Sequence, residues 1–140
     1  MHLDQIETPA VLIDIDVAER NIQDCQGYCD QHNIALRPHI KTHKLPRLAQ
    51  AQIDAGAAGI TCQKIGEAEV MAAAGIKDIL LTYNILGSSK LARLRALHDE
   101  IKLSVTADNA IVLQGLSEAC ADAERPLAVL IECDTGGQRC

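Results

Sequence analysis

Short apolar runs alternate with longer amphipathic segments along this chain of 140 residues. The runs are rich in Ile, Leu and Val and predict strands at residues 10–15, 36–40, 59–62, 79–83, 101–105 and 127–132. The segments between them have the spacing of helices that bury one face, at residues 17–31, 45–55, 65–74, 88–98 and 108–123. Strict alternation of strand and helix predicts right-handed βαβ units and therefore a parallel sheet.

Two parallel architectures fit this alternation, an open doubly wound sheet and a (β/α)8 barrel. An open dinucleotide-binding sheet would carry Gly-x-Gly-x-x-Gly after its first strand, and the sequence has no such run. Barrel enzymes have their active sites at the carboxyl ends of the strands. Polar residues occur at these ends in the predicted strands: His39, Lys41, Gln63, Lys64, Tyr83, Asn84, Thr106 and Asp134. The prediction is therefore an α/β fold of the TIM-type (β/α)8 barrel class.

The predicted barrel is only partial. Five strand-helix units follow the first segment, whereas a closed barrel of this class needs eight. The final residues, 136–140, have the composition of a loop. We expect residues 1–140 to be the N-terminal part of a longer barrel, with its later strands outside the chain. A partial barrel leaves strand edges and an interior face uncovered, so we expect the 140-residue chain alone to be inactive.

Charge and cysteine content narrow the class of partner. The chain carries 13 Lys and Arg against 19 Asp and Glu, a net charge of −6, which argues against nucleic acid or a membrane surface and favours a small molecule. No run reaches the length of a membrane span, and no signal-peptide pattern is present at the start. The six cysteines include no Cys-x2-Cys pair and lie mostly in apolar runs, which predicts a reducing, cytoplasmic setting.

Residues 37–44 form a basic cluster within this acidic chain. Alternate residues of a strand share a face, so Arg37, His39, Lys41 and His43 are predicted to point the same way. Cations gathered at the end of a buried strand predict a site for an anion. Neighbouring cations also favour the uncharged, nucleophilic form of a lysine amine, which makes Lys41 a candidate to react with a carbonyl substrate or with pyridoxal 5′-phosphate.

The run Pro38-His39-Ile40-Lys41-Thr42-His43-Lys44 resembles the Pro-His-x-Lys-Thr-His-Lys signature of the D-threonine aldolase and eukaryotic-type D-serine dehydratase family. Further runs resemble the same family in the same order along the chain, at residues 8–10, 59–64, 66–69 and 134–140. The resemblance implies a fold-type III pyridoxal-phosphate enzyme whose barrel is related to the N-terminal domain of alanine racemase.

The resemblance also implies roles for individual residues. Lys41 would form the Schiff base with the cofactor, and Lys44 is the rival lysine. His39 would support the cofactor ring, Gln63 would lie beside the cofactor, and Arg139 would hydrogen-bond the ring phenolate oxygen. From the residues alone, Gln63 also fits a helix cap and Arg139 a solvated loop charge.

The carboxylates of Glu67 and Glu69 can be explained without a catalytic or binding role. Glu67 and Glu69 fall in the first turns of a predicted helix, where negative charge is favoured by the helix dipole.

The implied activity is a lyase for D-amino acids that carry a β-hydroxyl group, of the D-threonine aldolase type that yields glycine and an aldehyde. The alternative is a dehydratase of D-serine or D-threo-3-hydroxyaspartate. Further alternatives are an amino-acid racemase and a non-catalytic pyridoxal-phosphate-binding protein. Family members also hold a divalent metal ion through a C-terminal β-domain, so we expect the metal ligands to lie outside this chain. We also expect the full-length enzyme to be a homodimer.

Overall fold

The computed structural model of this chain describes residues 2–138. Its strands form one parallel sheet in the order in which they occur along the chain: β1 (Ile60–Cys62), β2 (Asp78–Leu81), β3 (Lys102–Ala107) and β4 (Ala128–Ile131). The helices are α1 (Ile15–Gln31), α2 (Pro46–Asp54), α3 (Ile65–Ala73), α4 (Ser88–Glu100) and α5 (Ala110–Ala119). The predicted alternation is confirmed, since one helix separates each pair of successive strands. None of the helices within residues 2–138 has both the length and the apolar character needed to cross a bilayer.

The hydrophobic core lies between the sheet and its helices. Alternate strand residues point toward the helices and are fully or nearly fully buried, and register places Ile60, Ile79 and Leu103 side by side. Met71 of α3 and Leu94 of α4 fill the space above them. Each such side chain contributes roughly 1.5–3 kcal/mol when fully buried, and this burial fixes where the carboxyl ends of the strands stand.

The prediction of a strand at residues 10–15 is wrong. Residues 10–14 form no regular element, and α1 begins at Ile15, where the Asp14 carboxylate accepts the N–H of Val17 at 3.1 Å. Val11 is 96% exposed, and its apolar neighbours are exposed as well. A strand needs a partner for its backbone groups, and no strand within residues 2–138 pairs with this segment.

The predicted strand at residues 36–40 is an extended segment rather than a ladder strand. It runs parallel to β1, because the N–H of Ala58 donates to Leu36 and the N–H of Thr61 donates to Pro38, at 2.9 and 2.8 Å. Only one isolated bridge forms, between His39 and Thr61. Pro38 has no N–H to donate, and the chain turns into a 3-10 helix at Ile40, so the ladder cannot continue. Four strands, not five, therefore form the sheet within residues 2–138.

Arg37 ties this segment to the amino ends of the strands. Its Nη1 donates to Oδ1 of Asp78, the first residue of β2, at 2.7 Å, while Oδ2 of Asp78 accepts from Lys102 Nζ at 2.7 Å. Burial alone would raise the pKa of Asp78, but the hydrogen bonds and charges of these two cations outweigh burial and lower it. The guanidinium passes so close to Gly59 that a Cβ there would lie 2.1 Å from Arg37 Nη1. Glycine at this position therefore leaves the space that the Arg37 guanidinium needs to reach Asp78.

The Gly59→Ala variant tests this packing. We expect the free energy of unfolding to fall by about 1–3 kcal/mol, because the new methyl group must displace either the guanidinium or the backbone of β2. The measurement is denaturant-induced unfolding. Gly27→Ala is the control, since nothing lies within 4 Å of a Cβ at that position in α1, and a gain of about 0.5–1 kcal/mol is expected there. Equal stability of the Gly59→Ala variant and the parent protein would contradict the close approach.

Candidate active site

The 3-10 turn Ile40–Thr42, here named the Lys41 turn, lies at the carboxyl ends of the strands. The bridge between His39 and Thr61 places it beside the end of β1, which is followed by Gln63. The Lys41 side chain is exposed there, and its ammonium forms no ion pair or hydrogen bond with any residue in the range 2–138. A free amine at this rim occupies the place where barrel enzymes keep their reactive groups.

His39 fixes the start of the Lys41 turn. Its Nδ1 accepts the backbone N–H of Lys41 at 3.3 Å. Because Nδ1 accepts, Nε2 carries the ring hydrogen, and it donates to Oε1 of Gln63 at 3.2 Å. Three of the residues predicted for the site, Lys41, His39 and Gln63, are thus brought together. The fourth, Arg139, lies outside the described residues.

Glu67 links Gln63 to Lys44. Its Oε2 accepts the backbone N–H of Gln63 at 2.9 Å, and its Oε1 pairs with Lys44 Nζ at 3.2 Å. The Glu67 side chain is 10% exposed, and burial alone would raise its pKa. The hydrogen bond from Gln63 and the ammonium of Lys44 outweigh burial, so the pKa is lowered and the carboxylate stays charged.

The helix dipole, predicted from the sequence as the reason for a carboxylate at Glu67, is an incomplete explanation. Glu67 is the third residue of α3 and bonds an amide just before the helix, much as the glutamate of a capping box does. That spacing was visible in the sequence. The pairing with Lys44 was not, because it depends on the path of the chain between two elements.

The two lysines of the motif are therefore chemically different. Lys44 has a left-handed backbone with φ of 54°, which is uncommon for a residue with a side chain. Its N–H donates to the carbonyl of Ile40 at 2.8 Å, and its ammonium is held by Glu67. The amine of Lys44 is thus committed to an ion pair, whereas the amine of Lys41 is available to a ligand.

The expected concentration of unpaired positive charge around Lys41 is not found. Arg37 is neutralised by Asp78 at the opposite end of the strands, and Lys44 by Glu67. Burial lowers the pKa of His43, which favours the neutral form of its ring. Of the four residues predicted to share a face, Arg37 is thus balanced by a carboxylate of the protein, and the predicted site for an anion stays a prediction.

An open cleft of about 740 Å³ adjoins the rim between α3, α4 and the loop after β2. It shares Lys44, Gln63 and Glu67 with the network just described, and Tyr83 and Lys90 line its far side. Lys41 does not line this cleft. Lys41 therefore stays the predicted reactive residue because of its free amine and its rim position, and the cleft is not assigned to the cofactor.

Comparison with known proteins agrees with the motifs. Residues 13–140 match the family described as alanine racemase, N-terminal domain. A D-threonine aldolase of Arthrobacter sp. is 42% identical over 138 residues, which are 99% of this chain and 36% of that protein. A D-threo-3-hydroxyaspartate dehydratase of Delftia sp. (strain HT23) is 35% identical over 134 residues, which are 96% of this chain and 35% of that protein.

A solved structure confirms the predicted fold class. The crystal structure of D-threonine aldolase from Filomicrobium marinum superposes with a TM-score of 0.94 at 40% identity, over 99% of this chain and 37% of that one. The chain thus spans little more than a third of the length of the relatives it matches.

The Glu67→Gln variant tests the network around the Lys41 turn. The pKa of Glu67 is lowered from 4.5, so its charge adds stability above that pH, and the contribution is lost as the pH falls through the lowered value. We expect the variant to lose less stability than the parent protein between about pH 6 and about pH 3 in urea unfolding.

Amide exchange supplies the control for the same variant. Exchange of the Gln63 amide hydrogen should speed up in Glu67→Gln, because a neutral amide oxygen is a weaker acceptor than a carboxylate. Glu69→Gln removes a carboxylate from the same helix that pairs instead with Arg93, and it should leave the Gln63 amide unchanged. An unaltered pH dependence of stability in Glu67→Gln would show that Glu67 does not act as described.

Proposed function

Because this chain belongs to the alanine racemase N-terminal domain family, we propose that it is part of a pyridoxal 5′-phosphate-dependent lyase acting on D-amino acids with a β-hydroxyl group. The observation that carries the proposal is the free amine of Lys41, held on a hydrogen-bonded turn at the rim while the neighbouring Lys44 is paired with Glu67. The similarity to aldolases and dehydratases of such amino acids over nearly the whole chain supports it.

The residues at the rim fit this cofactor. Pyridoxal phosphate requires a lysine amine for its covalent bond and polar groups that orient its ring. Lys41 supplies the amine, and no carboxylate within residues 2–138 competes for it. When bound, the cofactor stabilises the negative charge that develops on the substrate during bond cleavage.

The surrounding residues have narrower roles than the motif alone suggested. Both ring nitrogens of His39 are already used, one by the Lys41 amide and the other by Gln63. His39 therefore supports the cofactor through the face of its ring rather than through a hydrogen bond. Gln63 positions His39 through its side-chain carbonyl oxygen. Arg139 remains the proposed partner of the ring phenolate oxygen.

The aldolase reaction is the first candidate for the complete protein, with glycine and an aldehyde as products. The 42% identity to a D-threonine aldolase favours it. The 35% identity to a D-threo-3-hydroxyaspartate dehydratase keeps dehydration of that substrate or of D-serine as the second candidate. The run at residues 38–44 speaks against a racemase, and a C-terminal β-domain in the complete protein would speak against a non-catalytic carrier.

The remaining parts of the proposal concern the complete protein. We propose that residues 1–140 are the N-terminal part of its barrel, and that later strands and a C-terminal β-domain follow. Divalent metal ligands are expected from that domain; within residues 2–138 no three acidic, histidine or cysteine side chains are grouped to hold a metal ion. A homodimer and a cytoplasmic setting complete the proposal, the latter supported by the described cysteines, which are all unpaired.

Replacing each lysine of the motif in turn tests the assignment. In the complete protein, Lys41→Ala should abolish the visible absorbance of the covalently bound cofactor, because no amine remains at that point of the rim. Lys44→Ala should retain that absorbance, since its amine is paired with Glu67. Absorbance spectra of the purified variants give the answer. Persistence of the colour in Lys41→Ala would show that another lysine binds the cofactor.

Product analysis separates the two reactions. The complete protein is incubated with D-threonine and with D-serine, with and without a chelator. Glycine and acetaldehyde from D-threonine are expected for the aldolase, whereas pyruvate and ammonia from D-serine would identify the dehydratase. Turnover that survives the chelator would count against a metal requirement. Absence of turnover of any D-β-hydroxy amino acid would contradict the proposal.

A further inference from the structure

His43 is the second histidine of the motif, and the proposed function gives it no role. It lies directly after the Lys41 turn, and its backbone N–H donates to the carbonyl of Ile40 at 3.2 Å, which closes the turn. Its ring Nδ1 accepts the backbone N–H of Leu45, the residue that precedes α2, at 3.0 Å. The ring therefore spans the junction between the turn and the helix.

The other ring nitrogen points into α2. Because Nδ1 accepts, the hydrogen of the neutral ring is on Nε2. Nε2 is buried and lies against the side-chain amide of Gln52, whose Oε1 is also buried. Neither atom has a hydrogen bond of regular geometry, and each supplies what the other lacks, a donor and an acceptor. A hydrogen bond between these two atoms would join His43 to the second turn of α2.

His43 thus repeats the arrangement of His39. Each Nδ1 accepts an N–H two residues later in the chain, from Lys41 and from Leu45. Each Nε2 is turned toward a glutamine, Gln63 in one case and Gln52 in the other. The local geometry is that of an Asx turn with imidazole in place of the carboxamide oxygen. The Lys41 turn is therefore held at its start on β1 and at its end on α2.

The backbone at the end of the Lys41 turn is strained. Lys44 has φ of 54°, and a non-glycine residue in this region carries strain that persists only where the surroundings enforce it. Its own bonds to Ile40 and Glu67 act on one side of the reversal. On the other side, the described contact is the His43 ring on the Leu45 amide.

We propose that His43 is a positioning residue for Lys41: by binding the Leu45 amide and Gln52, it fixes the end of the Lys41 turn on α2 and sets where the Lys41 amine stands at the rim. The inference rests on the proposed function, since it takes Lys41 to be the residue that binds the cofactor. His43 itself touches neither substrate nor cofactor in this account.

Two substitutions of His43 separate a positioning role from simple packing. His43→Asn keeps an acceptor for the N–H two residues later, as asparagine does in Asx turns, while His43→Leu removes it and remains apolar. Gln52→Met removes the acceptor for Nε2. Gln50→Met is its matched control, because Gln50 lies on the same helix with its side chain exposed and bonded to Asp54 at 2.7 Å.

The first measurement needs no cofactor. Hydrogen exchange of the Leu45 amide is followed in the complete, cofactor-free protein. We expect His43→Leu to speed this exchange about tenfold, as the loss of one ordinary hydrogen bond would, and His43→Asn to stay within about threefold of the parent protein. Gln52→Met should speed it by a smaller factor and Gln50→Met should not change it. Equal exchange in His43→Leu and the parent protein would overturn the inference.

The second measurement concerns Lys41 itself. The rate of covalent attachment of pyridoxal 5′-phosphate, followed by its visible absorbance, should fall about tenfold in His43→Leu, recover in His43→Asn and stay unchanged in Gln50→Met. Attachment at the parental rate in His43→Leu, despite faster exchange at Leu45, would overturn the positioning role but leave the proposed function intact. Failure of the parent protein to attach the cofactor would overturn both. If His43→Leu does not fold, the test is the comparison of Gln52→Met with Gln50→Met. Equal rates of cofactor attachment in these two variants would overturn the inference.

Discussion

The proposed site depends on two contacts of the nearly buried Glu67 carboxylate, one with the Gln63 amide and one with the Lys44 ammonium. Placing a negative charge in a nearly closed position costs free energy unless donors surround it, and Gln63 and Lys44 supply those donors. Because Lys44 pairs with Glu67, the ammonium of this lysine of the motif is already occupied. The lysine that remains, Lys41, is the one whose amine is free to react.

The basic stretch at residues 37–44 thus divides into parts with separate tasks. Arg37 pairs with Asp78 at the amino ends of the strands, where it holds the extended segment to the sheet. His39 and His43 each accept a backbone N–H at the ring Nδ1. Lys44 has the left-handed backbone at the chain reversal, and its ammonium pairs with Glu67. Within residues 2–138, Arg37 and Lys44 of this stretch are paired with carboxylates, whereas the ammonium of Lys41 has no partner.

Much of the fold followed from local pattern, whereas the contacts of the site did not. The period of apolar residues predicted the helices α1 to α5 and the strands β1 to β4, because burial of one face imposes that period. It failed at residues 10–15, which have strand composition but no partner, and at residues 36–40, where Pro38 interrupts the ladder. Lys41, His39 and Gln63, which were predicted for the site, lie together in the structure, and their roles toward a cofactor stay predictions. Glu67 and Asp78 could not be assigned, because their partners lie in other elements and no local spacing encodes such pairs.

The central claim is that Lys41, and not Lys44, bonds the cofactor. Borohydride reduction of the complete protein with pyridoxal 5′-phosphate makes that bond permanent, and peptide mapping by mass spectrometry then locates it. The modification is expected on Lys41, in a peptide in which Lys44 is unmodified. Modification of Lys44, or of a lysine outside residues 37–44, would contradict it.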